Sequence, residues 1–133
     1  MDISDLKSIE VERCTYGPCL DKMATISIDM VSGLSHYTIE GIFEECEWEC
    51  TADKKSIERV ADYIAASGIL RDGLEPVQIL DGTWYYATLH TTGGIREVTW
   101  TCENRDVKFS IDELSSLVSS RNKKIIRGFE LGW

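Results

Sequence analysis

The chain has 133 residues, 43% of them hydrophobic, which is the size and composition of one domain with one core. It carries 23 acidic and 14 basic side chains, a formal net charge of −9, and residues 1–50 hold 11 of the acidic and only 3 of the basic ones. Nucleic acid and anionic membranes are bound through Lys and Arg, so this charge argues against both as direct ligands. The charge favours a partner protein with a basic surface. We expect a single domain over residues 1–133.

The N-terminal residues lack the basic and apolar regions of a signal peptide, and no apolar run approaches the roughly 18 residues of a membrane span. We therefore expect a cytoplasmic protein. The chain has five cysteines, Cys14, Cys19, Cys46, Cys50 and Cys102. Because their number is odd and the expected compartment is reducing, free thiols are favoured over a disulfide framework.

Alternating apolar and polar residues predict strands in the first part of the chain. Residues 7–14 form the first, residues 22–31 the second, and a third runs from His36 to about Glu49 with a bulge at Gly41. Three antiparallel strands are thus expected in succession.

Apolar residues at three- and four-residue spacing then predict two helices. The first covers residues 53–68, capped by Asp53 and stopped by Gly68. The second covers residues 111–120, where Ser110 and the glutamate three positions later form a capping box.

Between the helices, residues 77–80 and 83–91 flank Asp81-Gly82, a strong hairpin signal, and a second turn at Gly93-Gly94 leads into a strand in which Val98, Trp100 and Cys102 point inward. The chain is expected to end as a strand containing Ile125, Phe129, Leu131 and Trp133. This order predicts an α+β fold, with a mostly antiparallel sheet of meander strands and two helices packed on one face.

The segment FEECEWEC, residues 43–50, could be a metal site, a redox pair or a charged surface. In a helix, Cys46 and Cys50 would lie one turn apart and could share a metal. In a strand they would lie about 13 Å apart, too far for one zinc ion or a disulfide. Period-two alternation favours the strand, with both cysteines and Trp48 buried.

In that strand Glu45, Glu47 and Glu49 form a row on one face. Glu44 falls out of the pattern but is predicted, with these three, to bind the partner. We call the three in-pattern side chains the acidic row. The acidic row either keeps an edge strand soluble or docks on a basic site of a partner protein, one that normally binds phosphates. The spacing of about 6.7 Å along a strand is close to that of successive phosphates, which leaves nucleic-acid mimicry open.

The strand at residues 83–91 supplies a second candidate. Placing Tyr85, Ala87 and Leu89 inward leaves Trp84 and Tyr86 on the opposite face. Exposed Trp and Tyr beside acids are typical anchors of protein interfaces. The alternative is that the C-terminal strand or the loop near Gly73–Pro76 covers them.

Thiol chemistry is the competing hypothesis. Cys14 and Cys19 bracket a short loop and could bind zinc with Cys102 or with His36 or His90, although no Cys-x2-Cys pair is present. A nucleophile formed by His90 and Cys102 is disfavoured because alternation places them on opposite faces. No P-loop, dinucleotide fingerprint, HExxH or GxSxG motif occurs, so the sequence predicts neither an enzyme nor a cofactor.

The stretch VERCTYGPCLDKMATISID resembles the start of an uncharacterised bacterial domain family in which a strand ends in Cys-x-Gly-x-Cys-Pro. Here the spacing is one residue longer, and Leu20 replaces the proline. The resemblance implies the α+β meander architecture, and because the family has no assigned function, no catalytic residue carries over from it. In size and acidity the chain also resembles small immunity and anti-defence inhibitors. We therefore expect a non-enzymatic inhibitor that occludes a basic site, for example on a nuclease or another nucleic-acid-binding enzyme, with a zinc or thiol module as the alternative.

Overall fold

The computed structural model describes residues 2–16, 22–41, 45–119 and 123–128. After a short 3-10 turn at Ile3–Asp5 it contains seven strands and two helices: β1 Leu6–Tyr16, β2 Lys22–Asp29, β3 Leu34–Glu40, β4 Glu45–Thr51, α1 Lys54–Ser67, β5 Gly82–Thr91, β6 Gly94–Thr101, α2 Ile111–Val118 and β7 Lys124–Arg127. The strands form one antiparallel sheet, which confirms the α+β prediction.

The strand order is β6-β5-β1-β2-β3-β4-β7. The first four strands form a meander, and α1 then returns the chain so that β5 pairs with the free side of β1. After the β5–β6 hairpin, α2 carries the chain back and β7 pairs with β4. The acidic row therefore lies on an inner strand, next to the edge strand β7.

The core lies between the helices and one face of the sheet, and its side chains form one buried cluster. Ring contacts join the layers, because Trp100 stacks on Tyr85 with centroids 5.2 Å apart and meets Phe109 edge-on at 5.5 Å. Phe109 in turn contacts Tyr63 of α1 at 5.6 Å. Aromatic pairs of this kind stabilise beyond the area they bury.

Both predicted helices are present, and α1 has both of its expected caps. The Asp53 carboxylate accepts a hydrogen bond from the backbone N–H of Ser56 at 2.8 Å, and Gly68 ends α1 in the left-handed region with φ 94°. The capping box of α2 is only half formed. Ser110 Oγ accepts from the N–H of Glu113, but the Ser110 N–H donates to the hydroxyl of Tyr63 at 2.6 Å instead of to the Glu113 carboxylate.

The prediction of one strand from His36 to Glu49 is wrong. The chain reverses between β3 and β4, and Glu40 pairs with Glu45 across the reversal. Burial falls on Tyr37 and Ile39 before the reversal and on even-numbered residues after it. That change of parity was a readable signal of a turn, because a continuous strand keeps its parity.

The predicted hairpin at Asp81-Gly82 is also wrong, because residues 77–80 form no strand and Leu80 is 99% exposed. Both sides of β5 are already occupied by β1 and β6. Val77 is instead held at the end of β6: its N–H donates to the Asn104 side chain at 3.0 Å, and its carbonyl accepts from Thr101 Oγ1 at 2.7 Å.

The inward orientation predicted for Cys102 is wrong as well. Strand β6 ends at Thr101, and Cys102 is exposed beyond it. In the C-terminal segment Ile125 lies on β7 as predicted, while Phe129, Leu131 and Trp133 lie outside the described residues.

Gly33 lies where the β2–β3 turn closely approaches the residue pair before α1, and a substitution at Gly33 tests this approach. Its φ is 83°, and a side chain there would collide with the carbonyl oxygen of Ala52, whose N–H donates to Gly33 at 2.8 Å. We expect Gly33→Ala to lower the free energy of unfolding, measured in urea, by more than the roughly 1 to 3 kcal/mol of a strained backbone alone.

Gly73→Ala is the matched control, because Gly73 has φ 77° and a Cβ added there would meet nothing within 4 Å. It carries the backbone strain without the collision. Equal losses for the two variants would contradict the close approach at Ala52.

Tyr63 links the two helices. Tyr63→Phe keeps the ring but leaves the Ser110 N–H without its acceptor, so we expect a loss of about 1 to 3 kcal/mol in urea unfolding at neutral pH. Burial raises the pKa of Tyr63 to about 12 from an ordinary 10.0.

Because the folded state then holds the proton more tightly, stability should fall as the pH rises from about 10 to 12. Tyr63→Phe should show a smaller fall over that interval than the wild type does. Identical alkaline profiles would show that the Tyr63 hydroxyl is not buried against α2.

Candidate functional site

The two faces of the sheet differ in cover. Apolar residues alternate inward beneath α1 and α2, and no described helix packs on the other side, which we call the open face. Strand register aligns side chains straight across this face: Tyr86 lies opposite Glu12, and the line continues through β2 and β3 to Glu47. The two predicted aromatic residues, Trp84 and Tyr86, which we call the aromatic pair, and the predicted acidic row therefore share one face.

The strand interpretation of residues 43–50 is confirmed from Glu45 onward. Cys46, Trp48 and Cys50 are buried at 0%, 3% and 6% exposure, and the glutamates between them point to the open face. Trp48 stacks on Tyr37 with ring centroids 5.3 Å apart. Glu44 lies outside the described residues.

The acidic row is partly neutralised from within the chain. Arg127 of β7 contacts Glu40 Oε1 at 2.5 Å and Glu45 Oε1 at 2.6 Å. Its Nε lies 3.2 Å from Glu47 Oε1, an ion-pair distance, but makes no hydrogen bond. Hydrogen bonding to Glu40, with that to Glu45, raises the pKa of Arg127. We call this group the Arg127 clamp.

The other oxygen of Glu47 is also occupied, because Oε2 lies 2.6 Å from His36 Nε2. Glu49 pairs in register with Lys124 and lines a groove of about 270 Å³ on the open face. The same groove is lined by Glu10, His36 and His90. The structure thus places both histidines on the open face, next to acids.

Further acids on the open face were not predicted as site residues. Glu10 and Glu12 lie on β1 and Glu97 lies on β6, each directed away from the helices. Like Glu49, they form no ion pair with any other described residue. The alternation in residues 7–14 already separated Glu10 and Glu12 from the apolar side chains, but only strand pairing aligned them with the acidic row.

The predicted zinc ligands are dispersed. Cys14 is 9% exposed and its thiol donates to Glu12 Oε1 at 3.2 Å, while Cys102 is exposed beyond β6. Burial, and next the hydrogen bond to Glu12, raise the pKa of Cys14, which keeps the thiol protonated. Cys19 lies outside the described residues. Within the described ranges, no group of three or more His, Cys, Asp or Glu side chains could hold a metal ion.

The aromatic pair has the predicted orientation. Ala87 and Leu89 are buried, Tyr85 packs inward on Trp100, and Trp84 and Tyr86 stack on the open face with centroids 6.3 Å apart and planes 13° apart. Tyr86 is 39% exposed and Trp84 is partly buried. The next exposed aromatic on this face is Tyr16, whose pKa is raised to about 12 by the adjacent Cys14 thiol.

Comparison with protein-family models, with curated proteins and with solved structures finds no match for this chain. Neither α1 nor α2, the two α-helices of the described residues, has the length and apolar composition that a membrane-spanning helix requires. The assignment of a site therefore depends on the chemistry of the open face.

The Arg127 clamp makes a testable contribution to stability. Arg127→Gln leaves Glu40, Glu45 and Glu47 close together without their cation, so we expect a lower urea midpoint at low salt. The loss should shrink between about 0.01 and 1 M salt, as the Debye length falls from ~30 to ~3 Å.

Arg105→Gln is the control, because the Arg105 side chain is 86% exposed and its one ion pair with a described residue is to Glu103 at 3.6 Å. It should change the midpoint little at any salt concentration. If both variants behave alike at low salt, the clamp adds nothing to stability.

Proposed function

We propose that this protein is a non-enzymatic binding protein whose open face occludes a basic surface on a partner protein. The partner class that fits best is an enzyme that handles nucleic acid, such as a nuclease, because its phosphate-binding site is itself basic. The relation would be that of an immunity or anti-defence inhibitor to its target. The observation that carries the proposal is the shared open face of the acidic row and the Trp84–Tyr86 pair.

The size of the face supports a protein partner. Seven strands at about 4.8 Å spacing are ~29 Å wide, and seven residues of strand are ~23 Å long. The resulting area of roughly 650 Å² approaches the ~800 Å² per partner of a standard interface. Tyr86 and Glu47 are four strands apart in one line, about 19 Å, so a single partner surface could contact both ends.

The charge distribution supports a basic partner. On the described open face, strand residues Glu10, Glu12, Glu49 and Glu97 lack an internal ion pair, and the Arg127 clamp neutralises only the β3–β4 corner. Unpaired acids of this kind speed association with a basic surface and reject acidic ones. The stacked aromatic rings supply the apolar contact that charge alone does not provide.

The role proposed for Glu45, Glu47 and Glu49 is contact with Lys or Arg of the partner. In that role Glu45 and Glu47 exchange part of their contact with Arg127 for a contact with the partner, so reversing their charge would also disturb β7. Glu10 and Glu97 give a cleaner test, because their in-register neighbours are Ser27 and Thr88.

We expect Glu10→Lys/Glu97→Lys to weaken partner binding roughly tenfold or more, because it places like charges against the partner's basic surface. A partner is first captured from nuclease-treated lysate on the immobilised wild-type protein and identified. The dissociation constants of the wild type and of the variant for this partner are then compared at low and moderate salt. Binding by the wild type should weaken as salt rises, and the retained partner's own activity should be inhibited.

Glu58→Lys/Asp62→Lys is the matched control, because it changes the net charge equally on exposed positions of α1, on the helix side. It should bind as the wild type does. A folded Glu10→Lys/Glu97→Lys variant that binds the identified partner with unchanged affinity contradicts the proposal.

A further inference from the structure

One end of the open face carries a recess of about 470 Å³ between β1, β2 and β3. Its lining includes Glu12, Cys14 and Tyr16 of β1, together with Met23 and Glu40. Cys14 pairs in register with both Met23 and Trp84, and Glu12 pairs with Tyr86, so the aromatic pair borders the recess along β5.

This end of the face presents three exposed side chains with aromatic or thioether groups. Tyr16 is 44% exposed, Met23 is 41% exposed and Tyr86 is 39% exposed, although all three lie among polar strand positions. A cluster of exposed aromatic and methionine side chains on one patch is typical of an interface anchor. The rings of Trp84 and Tyr86 lie nearly parallel, with their planes 13° apart.

Two carboxylates border these apolar groups. Glu12 has no ion pair among the described residues, and the Cys14 thiol holds one of its oxygens at 3.2 Å. Glu40 contacts the Arg127 guanidinium from the same face. Lys22 also lines the recess, with its aliphatic stem 3.2 Å from where a Cβ on Gly41 would lie.

We infer that this recess receives an arginine side chain of the basic partner, with the guanidinium against the exposed aromatic rings and paired with Glu12. The inference rests on the proposed function. Arginine fits better than lysine because its guanidinium is planar, weakly hydrated and able to stack on aromatic faces while it bonds a carboxylate in two places. The Arg127 clamp is an example within the chain of a guanidinium bound by carboxylates on this face.

The test uses hexaarginine and hexalysine, which have equal charge and length, and measures both dissociation constants by calorimetry on the full chain. We expect hexaarginine to bind about 3- to 30-fold more tightly than hexalysine. Tyr86→Leu, which keeps an apolar side chain but removes the ring, and Glu12→Gln should each reduce that preference to near unity.

Glu10→Gln is the control, because Glu10 lies on the same strand but outside the recess lining. It should weaken both peptides by the same factor and keep the preference for arginine. Near-ultraviolet circular dichroism of each variant identifies any loss of fold, and Tyr16→Leu provides a second ring deletion if Tyr86→Leu does not fold.

Equal affinity for the two peptides, or a preference that survives both Tyr86→Leu and Glu12→Gln, overturns the arginine recess. If Glu10→Gln still weakens both peptides in that case, the acidic face stands without the recess. Binding of neither peptide also overturns the recess, and the proposed function is then decided by the Glu10→Lys/Glu97→Lys comparison with the identified partner.

Discussion

The structure depends on a mismatch between a wide sheet and two short helices. Helix α1 has 14 residues and α2 has 8, which makes them about 21 and 12 Å long, whereas the seven strands are about 29 Å across. Both helices return to the same face, where they bury the apolar side chains of the strands. The alternate side chains are left on a face that no described helix covers, so that face has to be polar, charged or paired with another molecule.

On the helix side of the sheet, a series of aromatic contacts holds the helices against the strands. Tyr85, Trp100 and Phe109 connect β5 and β6 to the segment before α2, and Phe109 contacts Tyr63 of α1. The Tyr63 hydroxyl then accepts the N–H of Ser110, the residue that caps α2. One tyrosine thus joins both helices and the β5–β6 hairpin, which is separated from the first four strands by the long α1 connection.

Charge is arranged differently on the two sides of the molecule. On the helix side, arginines of the sheet are paired with acids from helices and loops, as in Arg13 with Asp112 and Arg96 with Asp72. On the open face the Arg127 clamp serves one corner, and several acids have no cation among the described residues. This asymmetry, together with the exposed rings of Tyr16 and Tyr86, is what gives the open face the chemistry of a surface for a basic protein.

The sequence by itself determined the elements whose signals are local. The caps of α1, the strand character of β4 and the opposite orientation of Tyr85 and Tyr86 all follow from neighbours within a few residues. Tertiary structure decided the pairing: it split the predicted strand between Glu40 and Glu45, left residues 77–80 without a partner strand and ended β6 before Cys102. It also brought Arg127 to glutamates more than 80 positions away and aligned Tyr86 with Glu47. Alternation reports only which side chains share a face within one strand, and the common face of different strands is set by non-local hydrogen bonds and by the burial of the whole sheet beneath the helices.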